Sequence, residues 1–240
     1  MNNSINLFPY IGLGLLALVV FRYLKIEIRD YKFYLFNLFL IFSSQNYITV
    51  YIVYSDYINY VPHLFRTAGF SLYLISPLIY LYVRERLFEK GFHKYDLLHA
   101  IPGVFYFIDY IPFYLKSGEF KLALIKSLKE KGALNLNMQG YSNDFISHLF
   151  VRNSLTIFYA SLILVMFIRF VRLNGFITFL QNKRSLFELV FLFYLLLMFS
   201  IPPLLTSLNL TMYKAEDFSM IIFAVLGLLS FIFYFPRKLN

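Results

Sequence analysis

Cysteine and tryptophan are absent from the 240 residues of this chain. Without cysteine, the chain forms no disulfide and has no thiolate metal ligand or cysteine nucleophile. Tryptophan normally shares the interfacial belts of membrane proteins with tyrosine, so the 21 tyrosines are expected to supply those belts here. Histidine is scarce too. The four histidines are not spaced as metal ligands usually are: His63, His93, His99 and His148. The sequence predicts no metal site and no cofactor.

Recognisable catalytic motifs are missing as well. The chain contains no GxSxG, no P-loop, no GxGxxG and no HExxH. A retinal protein would need a lysine inside its last membrane span, and residues 218–235 contain none. We therefore expect that the protein is not an enzyme.

Charged residues are few, and this shortage defines the class of protein. They make up 15% of the chain, against about 25% in soluble domains. Hydrophobic residues make up 60% of the chain, and its mean hydropathy is +0.65. A soluble fold of this size could not bury that much apolar surface in one core. Composition therefore predicts an integral membrane protein.

The apolar runs predict an all-α bundle of seven transmembrane helices. A span needs about 20 mostly apolar residues, and seven segments qualify: 6–24, 32–54, 61–83, 96–115, 147–168, 186–208 and 217–235. The fourth is the weakest, because Asp109 interrupts it and Pro102, Gly103 and Pro112 lower its helix propensity. The alternative is six spans with a re-entrant fourth segment.

Basic residues predict the orientation of these spans. Fourteen flank one side: Arg22, Lys25, Arg29, Lys32, Arg84, Arg86, Lys90, Lys94, Arg169, Arg172, Lys183, Arg184, Arg237 and Lys238. Six flank the other: Lys116, Lys121, Lys126, Lys129, Lys131 and Lys214. The positive-inside rule then puts the N-terminus outside and the C-terminus in the cytoplasm. We expect a multi-pass protein of the bacterial inner membrane. The first span is not expected to be a signal peptide, because its basic cluster follows the apolar run.

The long linker 116–146 contains a second kind of helix. Four apolar residues recur there at helical spacing, with lysines filling much of the remainder: Phe120, Ala123, Leu124 and Leu128. This pattern predicts a short amphipathic helix on the outer membrane surface. The alternative is a solvated connector.

Three ionisable residues lie within predicted spans and share a depth near the outer edge: Arg66, Asp109 and Arg152. Asp109 could pair with either arginine, which would leave one guanidinium for a small anionic ligand. His63 precedes Arg66 by three positions and His148 precedes Arg152 by four, so each histidine is expected to share a helix face with its arginine. We predict an outward-facing pocket for a carboxylate or phosphate, or a structural ion pair, and the two do not exclude each other.

Uncharged polar residues and prolines also mark the predicted spans. Ser43, Ser44, Gln45 and Asn46 occupy one turn of the second span, where they predict helix–helix hydrogen bonds or the lining of a water-filled path. Mid-span prolines predict kinks or hinges in the third and sixth spans: Pro77, Pro202 and Pro203.

The stretch SPLIYLYVRERLF at 76–88 and the stretch YDLLHAIPGVFYF at 95–107 carry a resemblance. Together they resemble the seven-helix N-terminal region of bacterial membrane-bound AraC-type transcriptional regulators. The matching residues are Pro77, Tyr82, Arg84, Asp96, His99 and Pro102. The resemblance implies a sensor whose C-terminal DNA-binding domain follows the seventh span. This chain ends at Asn240, so DNA would be contacted only through a domain not present here, or the signal would pass through another protein.

Asp96 and His99 lie three residues apart at the cytoplasmic start of the fourth span. With Arg84 and Arg86, they form a predicted latch that couples the third and fourth spans to an output. The alternative is helix capping and anchoring at the interface.

We thus expect a membrane-embedded sensor or signal-transducing domain. A small-solute transporter or a channel-like protein is the alternative. The expected partners are membrane lipid, a small anionic ligand and a second copy of the chain.

Overall fold

The computed structural model describes residues 8–26, 29–130, 140–141 and 148–174. These residues form an all-helical assembly, and no strand occurs among them. The α-helices are α1 (Phe8–Lys25), α2 (Tyr31–Tyr54), α3 (Ala68–Phe88), α4 (Ile101–Asp109), α5 (Ile111–Tyr114), α6 (Gly118–Glu130) and α7 (His148–Asn174). Short 3-10 helices lie at Asp56–Asn59, Pro62–Leu64 and Lys94–Ala100. The all-helical prediction is confirmed for this part of the chain.

Four helical segments in the described part are long and apolar enough to cross a membrane. They are Phe8–Lys25, Tyr31–Val53, Pro62–Phe88 and Phe150–Leu173, and they correspond to the first, second, third and fifth predicted spans. The predicted spans at 186–208 and 217–235, with Pro202 and Pro203, lie outside the described residues.

The fourth predicted span, 96–115, is not one continuous α-helix. A 3-10 helix leads into α4, which ends at Asp109, and α5 begins again at Ile111. Pro112 explains the interruption, because it has no N–H to donate to the carbonyl of Ile108. Tyr110 occupies the junction with φ −89° and ψ 6°.

Residue pairs at both ends of α1 and α2 show that these helices are antiparallel. The Ser44 hydroxyl donates to the Gly12 carbonyl at 2.7 Å. At the other end, Arg22 Nε donates to Asn37 Oδ1 at 3.1 Å. Since the backbones approach closely at Gly12, the interface fits the small-residue pattern of membrane helices.

Helix α3 lies centrally and packs on α2, α4 and α7. It is antiparallel to α2, because Ser71 meets Asn46 near one end and Tyr82 meets Phe36 near the other. It is parallel to α7, since Ser76 bonds Thr156 and Phe88 packs on Phe170. α3 therefore contacts three other helices along its length.

The fourth predicted span, 96–115, which we call the fourth segment, is broken but runs along α3 in the opposite direction. Asp96 bonds Arg84 at the C-terminal end of α3, and Tyr106 bonds the carbonyl of Arg66 just before its N-terminal end. Residues 68 to 84 of an α-helix extend about 24 Å at 1.5 Å per residue. The 3-10 helix and α4 together follow α3 over that distance.

Two apolar clusters hold the described helices together. One joins α1, α2, α3 and α7 around buried residues such as Phe39, Ile79 and Ile163. The other joins the start of α3 to α4, α5 and α6, around Phe113 and Ile125. The polar groups described below lie between and beside these two clusters.

Helix α6 occurs where an amphipathic helix is predicted, but its buried face differs from the predicted one. Phe120 is 40% exposed and Ala123 is exposed, whereas Lys121 and Ile125 are buried. The aliphatic stem of Lys121 packs inward while its ammonium finds polar partners. A charged residue therefore occupies a position that the apolar pattern assigned to the outside.

Candidate functional site

The first polar group, the Asp109 cluster, consists of Tyr73, Asp109 and His148 and joins α3, α4 and α7. His148 Nε2 lies 2.8 Å from Asp109 Oδ2, and His148 Nδ1 lies 2.9 Å from the Tyr73 hydroxyl. That hydroxyl also lies 3.0 Å from the backbone carbonyl of His148. Tyr73 is 2% exposed, Asp109 5% and His148 6%, so the network is shielded from water.

Aromatic rings and a glycine complete the walls of this cluster. The rings of Tyr106 and Tyr110 lie 5.0 and 5.1 Å from the imidazole of His148, measured between centroids. Gly140 passes over the carboxylate so closely that a Cβ atom there would overlap Asp109. The next amide, Tyr141 N, donates to the Asp109 carbonyl at 2.9 Å. Residues 140–141 therefore cover Asp109.

The sequence suggests that Asp109 pairs with Arg66 or Arg152, but the structure shows neither of these ion pairs in the part of the chain that it describes. Within the described residues the ionisable partner of Asp109 is His148. The first turn of α7 aims His148 at α4, whereas Arg152, one turn further on, is half-buried. The expected histidine–arginine face is also absent at His63, because the helical turn ends at Leu64 and Arg66 has φ 70°.

Arg66 lies in an aromatic cage, which we define as Phe65, Tyr110 and Phe113. Its guanidinium carbon lies 5.5, 4.9 and 5.1 Å from the centroids of these rings, in that order. Arg66 is 7% exposed, and its Nε and Nη1 have no hydrogen-bond partner within the described residues. Cation–π attraction offsets part of the cost of burying this charge.

A second cation lies near the same Phe113 ring. Lys121 Nζ is 5.3 Å from the Phe113 centroid, 2.8 Å from His63 Nδ1 and 2.9 Å from the Tyr114 carbonyl. Burial lowers the pKa of the Lys121 ammonium, because desolvation disfavours the charged form. Among the described residues, no carboxylate pairs with Lys121 or Arg66, so the region carries excess positive charge.

Lys121→Met is expected to lower the free energy of unfolding by about 1–3 kcal/mol, since the Tyr114 carbonyl at the end of α5 loses a donor. Lys126→Met is the matched control, because Lys126 is exposed on the same helix. Chemical unfolding of the purified protein in detergent would measure both. Equal stability of the two variants would contradict a capping role for Lys121.

The second polar group is the Arg84 clamp, which consists of Tyr31, Arg84 and Asp96. Arg84 Nη1 and Nη2 each lie 2.6 Å from a different Asp96 oxygen, so the ion pair is bidentate. The Tyr31 hydroxyl donates to Asp96 at 3.1 Å, and the amide of His93 donates to it at 3.0 Å. The clamp therefore ties α2 and α3 to the start of the fourth segment.

Asp96 lies in a 3-10 helix, outside the four segments long enough to cross a membrane. Burial alone would raise the pKa of its carboxyl. Hydrogen bonds from Arg84, from the His93 amide and from Tyr31, with the charge of Arg84, outweigh burial and lower that pKa to about 2. The carboxylate is therefore charged at any physiological pH.

The other residues of the predicted latch lie apart from the ion pair. His99 Nδ1 lies 2.6 Å from the Tyr159 hydroxyl on α7, and its ring packs on Tyr80 of α3. Arg86 is half-buried in the last turn of α3. His99 therefore joins the fourth segment to α7 and is not part of the Arg84 clamp.

The polar turn of α2 faces two different neighbours. Ser44 bonds the Gly12 carbonyl of α1, and Asn46 Nδ2 lies 3.3 Å from Ser71 Oγ of α3. Ser43 is buried with no hydrogen-bond partner among the described residues, and Gln45 is half-buried. This turn thus connects α2 to both adjacent helices.

Pro77 is buried within α3, between the levels of the two polar groups. It cannot donate to the Tyr73 carbonyl, so α3 lacks one backbone hydrogen bond next to the Asp109 cluster. The adjacent Ser76 hydroxyl bonds Thr156 at 3.0 Å, which in turn bonds the Arg152 carbonyl. The weakened turn of α3 is thereby held to α7.

Sequence patterns did not reveal several of these groups. Tyr73 was one of 21 tyrosines with nothing to single it out. In the sequence, Arg22 is only one of the basic residues that predict the orientation of the spans. In the structure it is 5% exposed and bonds Asn37 in the α1–α2 interface. The position of Asn37 inside an apolar run could have indicated its role, because polar residues in such runs commonly face another helix.

No protein-family model, no curated protein and no solved structure matches this chain.

Proposed function

We propose that this chain is a multi-pass membrane domain that transmits a signal along α3, from the Asp109 cluster to the Arg84 clamp. The observation that carries the proposal is that α3 supplies a residue to each group. Tyr73 and Arg84 are eleven residues apart, a distance of about 16 Å along an α-helix. A shift or rotation of α3 would therefore change the contacts of both the Asp109 cluster and the Arg84 clamp.

Contacts between these two levels support such coupling. Ser76 bonds Thr156, and Tyr80 packs on both His99 and Tyr159. Packed helices with interlocking polar contacts move as units instead of deforming continuously. Pro77 leaves one turn of α3 with a missing backbone bond, which makes that turn the natural hinge.

We further propose seven spans, with the N-terminus outside and the C-terminus in the cytoplasm of a bacterial inner membrane. The alternating directions of α1, α2, α3, the fourth segment and α7 support this arrangement. The Arg84 clamp would then lie on the cytoplasmic side, where an output is needed. The balance of basic residues favours the same orientation.

The resemblance to AraC-type regulators supports the input half of a membrane-bound transcriptional regulator as the role. Its two sequence stretches meet in the clamp, because Arg84 belongs to the first and Asp96 to the second. DNA would be contacted only through a further domain. A membrane-state signal or a small anion remains the proposed stimulus, and the uncompensated charges of Arg66 and Lys121 favour the anion.

The absence of cysteine permits a direct test. Cysteines introduced at Lys90 and Arg172, both exposed, would carry spin labels. Double electron–electron resonance in lipid nanodiscs would then measure the distance between the C-terminal ends of α3 and α7, near the Arg84 clamp. Asp109→Asn, far from both labels, is expected to change that distance distribution. Ser161→Ala is the matched control, because its hydroxyl is exposed and bonds only the Ile157 carbonyl of its own helix among the described residues. An unchanged distribution in Asp109→Asn would reject coupling along α3.

The transporter alternative has its own test. Proteoliposomes containing a pH-sensitive dye would report proton movement across the membrane. A flux that disappears in Asp109→Asn, together with an unchanged distance distribution, would favour a transporter over a signalling domain.

A further inference from the structure

We infer that the Asp109 cluster is a binding site for a single proton. The argument follows from counting donors and acceptors in three contacts: Asp109 to His148 Nε2, Tyr73 to His148 Nδ1, and Tyr73 to the His148 carbonyl. This proposal goes beyond signalling and does not depend on it.

The Tyr73 hydroxyl has one hydrogen, and two acceptors compete for it. The His148 carbonyl can only accept, so the contact at 3.0 Å requires Tyr73 to donate. The contact at 2.9 Å between Tyr73 and Nδ1 then needs a hydrogen on Nδ1. Otherwise the single hydroxyl hydrogen is shared between two acceptors, and both bonds are weakened.

A hydrogen on Nδ1 has a consequence at the other nitrogen. In a neutral imidazole, Nε2 would then carry a lone pair that faces the lone pairs of the Asp109 carboxylate at 2.8 Å. That contact is repulsive unless one more proton is present, either on Nε2 or on the carboxyl. All three contacts are therefore satisfied together only in a proton-loaded state, with no net charge on the cluster.

Release of the proton leaves one arrangement with favourable contacts to both ring nitrogens. Nε2–H donates to the Asp109 carboxylate, and Tyr73 turns its hydrogen to Nδ1. The Tyr73 bond to the His148 carbonyl is then lost. Proton release therefore changes how α3 is held to the first turn of α7.

Other charged and titratable groups face the cluster from every described element packed on it. Tyr106 of α4 and Tyr110, which follows α4, face it with their ring centroids 5.0 and 5.1 Å from that of the imidazole. Arg152 of α7 acts electrostatically on Tyr73, and Arg66, which precedes α3, acts on Tyr110. From residues 140–141 the Tyr141 amide donates to the Asp109 backbone. The guanidinium charges oppose the extra proton and the Asp109 carboxylate favours it.

Nitrogen-15 NMR of histidine-labelled protein in nanodiscs would test the inference. As the pH rises, we expect His148 to change from a form with a hydrogen on Nδ1 to a form protonated on Nε2 alone. His148→Gln would assign the signals. His99, which bonds Tyr159, is the internal reference. A His148 that keeps one neutral form at every pH would overturn the proposal in the unmodified protein.

Asp109→Asn gives the second arm. Without the carboxylate, the midpoint of the His148 transition is expected to fall by about 1–3 pH units, while the His99 signals stay in place. Tyr73→Phe removes the acceptor for a hydrogen on Nδ1, so the His148 midpoint is expected to fall in that variant too, which keeps the test open if Asp109→Asn does not fold. An unshifted His148 midpoint in either folded variant would contradict the assignment.

Discussion

Gly69→Ala is expected to destabilise the protein by about 1–3 kcal/mol, although alanine is the better helix former. A Cβ atom at this first turn of α3 would overlap the ring and hydroxyl of Tyr106. Tyr106 is 6% exposed, and its hydroxyl donates to the Arg66 carbonyl at 3.0 Å. The overlap would push α4 away from α3 at the level of the Asp109 cluster.

Two variants make this expectation specific. Gly14→Ala in α1 is the matched control, because a Cβ atom there meets nothing within 4 Å. That change should be neutral or stabilising by up to about 1 kcal/mol, the difference in helix propensity. In a Tyr106→Leu background, Gly69→Ala should cost less than in the native protein. Chemical unfolding in detergent would measure the cycle, and equal costs in both backgrounds would exclude the proposed overlap.

Asp96→Asn is expected to lower the free energy of unfolding by about 2–3 kcal/mol. Loss of one partner of a buried ion pair costs about 3–5 kcal/mol, and the figure is smaller here because the Arg84 side chain is 17% exposed. The amide side chain has nearly the shape of the carboxylate, so charge is the main property removed. Tyr31 and the His93 amide would also lose a charged acceptor.

The Asp30–Lys32 pair supplies the matched control for the Arg84 clamp. Its atoms are 3.0 Å apart, but both side chains are 36% exposed. Lys32→Gln should therefore cost no more than about 1 kcal/mol. Combining Arg84→Gln with Asp96→Asn should cost less than the sum of the single changes, since the second change removes the charge that the first leaves unpaired. Strict additivity would mean that the two residues do not stabilise each other.

The Asp96→Asn variant also bears on signalling. If the clamp couples α3 to the fourth segment, its loss should broaden the Lys90–Arg172 distance distribution under conditions where the protein remains folded. Lys32→Gln should leave that distribution unchanged. A stability loss without any change in distance would assign the clamp a purely structural role.

Local composition predicted an integral membrane protein and determined the places of its long helices. Residues 8–25, 31–54 and 148–174 are apolar runs that can satisfy their backbone hydrogen bonds in a membrane only as helices, and α1, α2 and α7 lie there. Polar residues inside such runs, including Asn46 and Asp109, could also be singled out from the sequence because burying them without a partner is costly.

Tertiary structure decided which partner each polar group has and which face of each helix points inward. Asp109 pairs with His148 and not with Arg66 or Arg152, and α6 turns Lys121 inward. In water, an apolar stripe marks the inward face of a helix. A membrane helix is apolar on the lipid side as well, so the stripe loses that meaning. Close approach at glycines, breaks at prolines and the pairing of a few buried polar groups then set the rotation of each helix, and these depend on residues far apart in the chain.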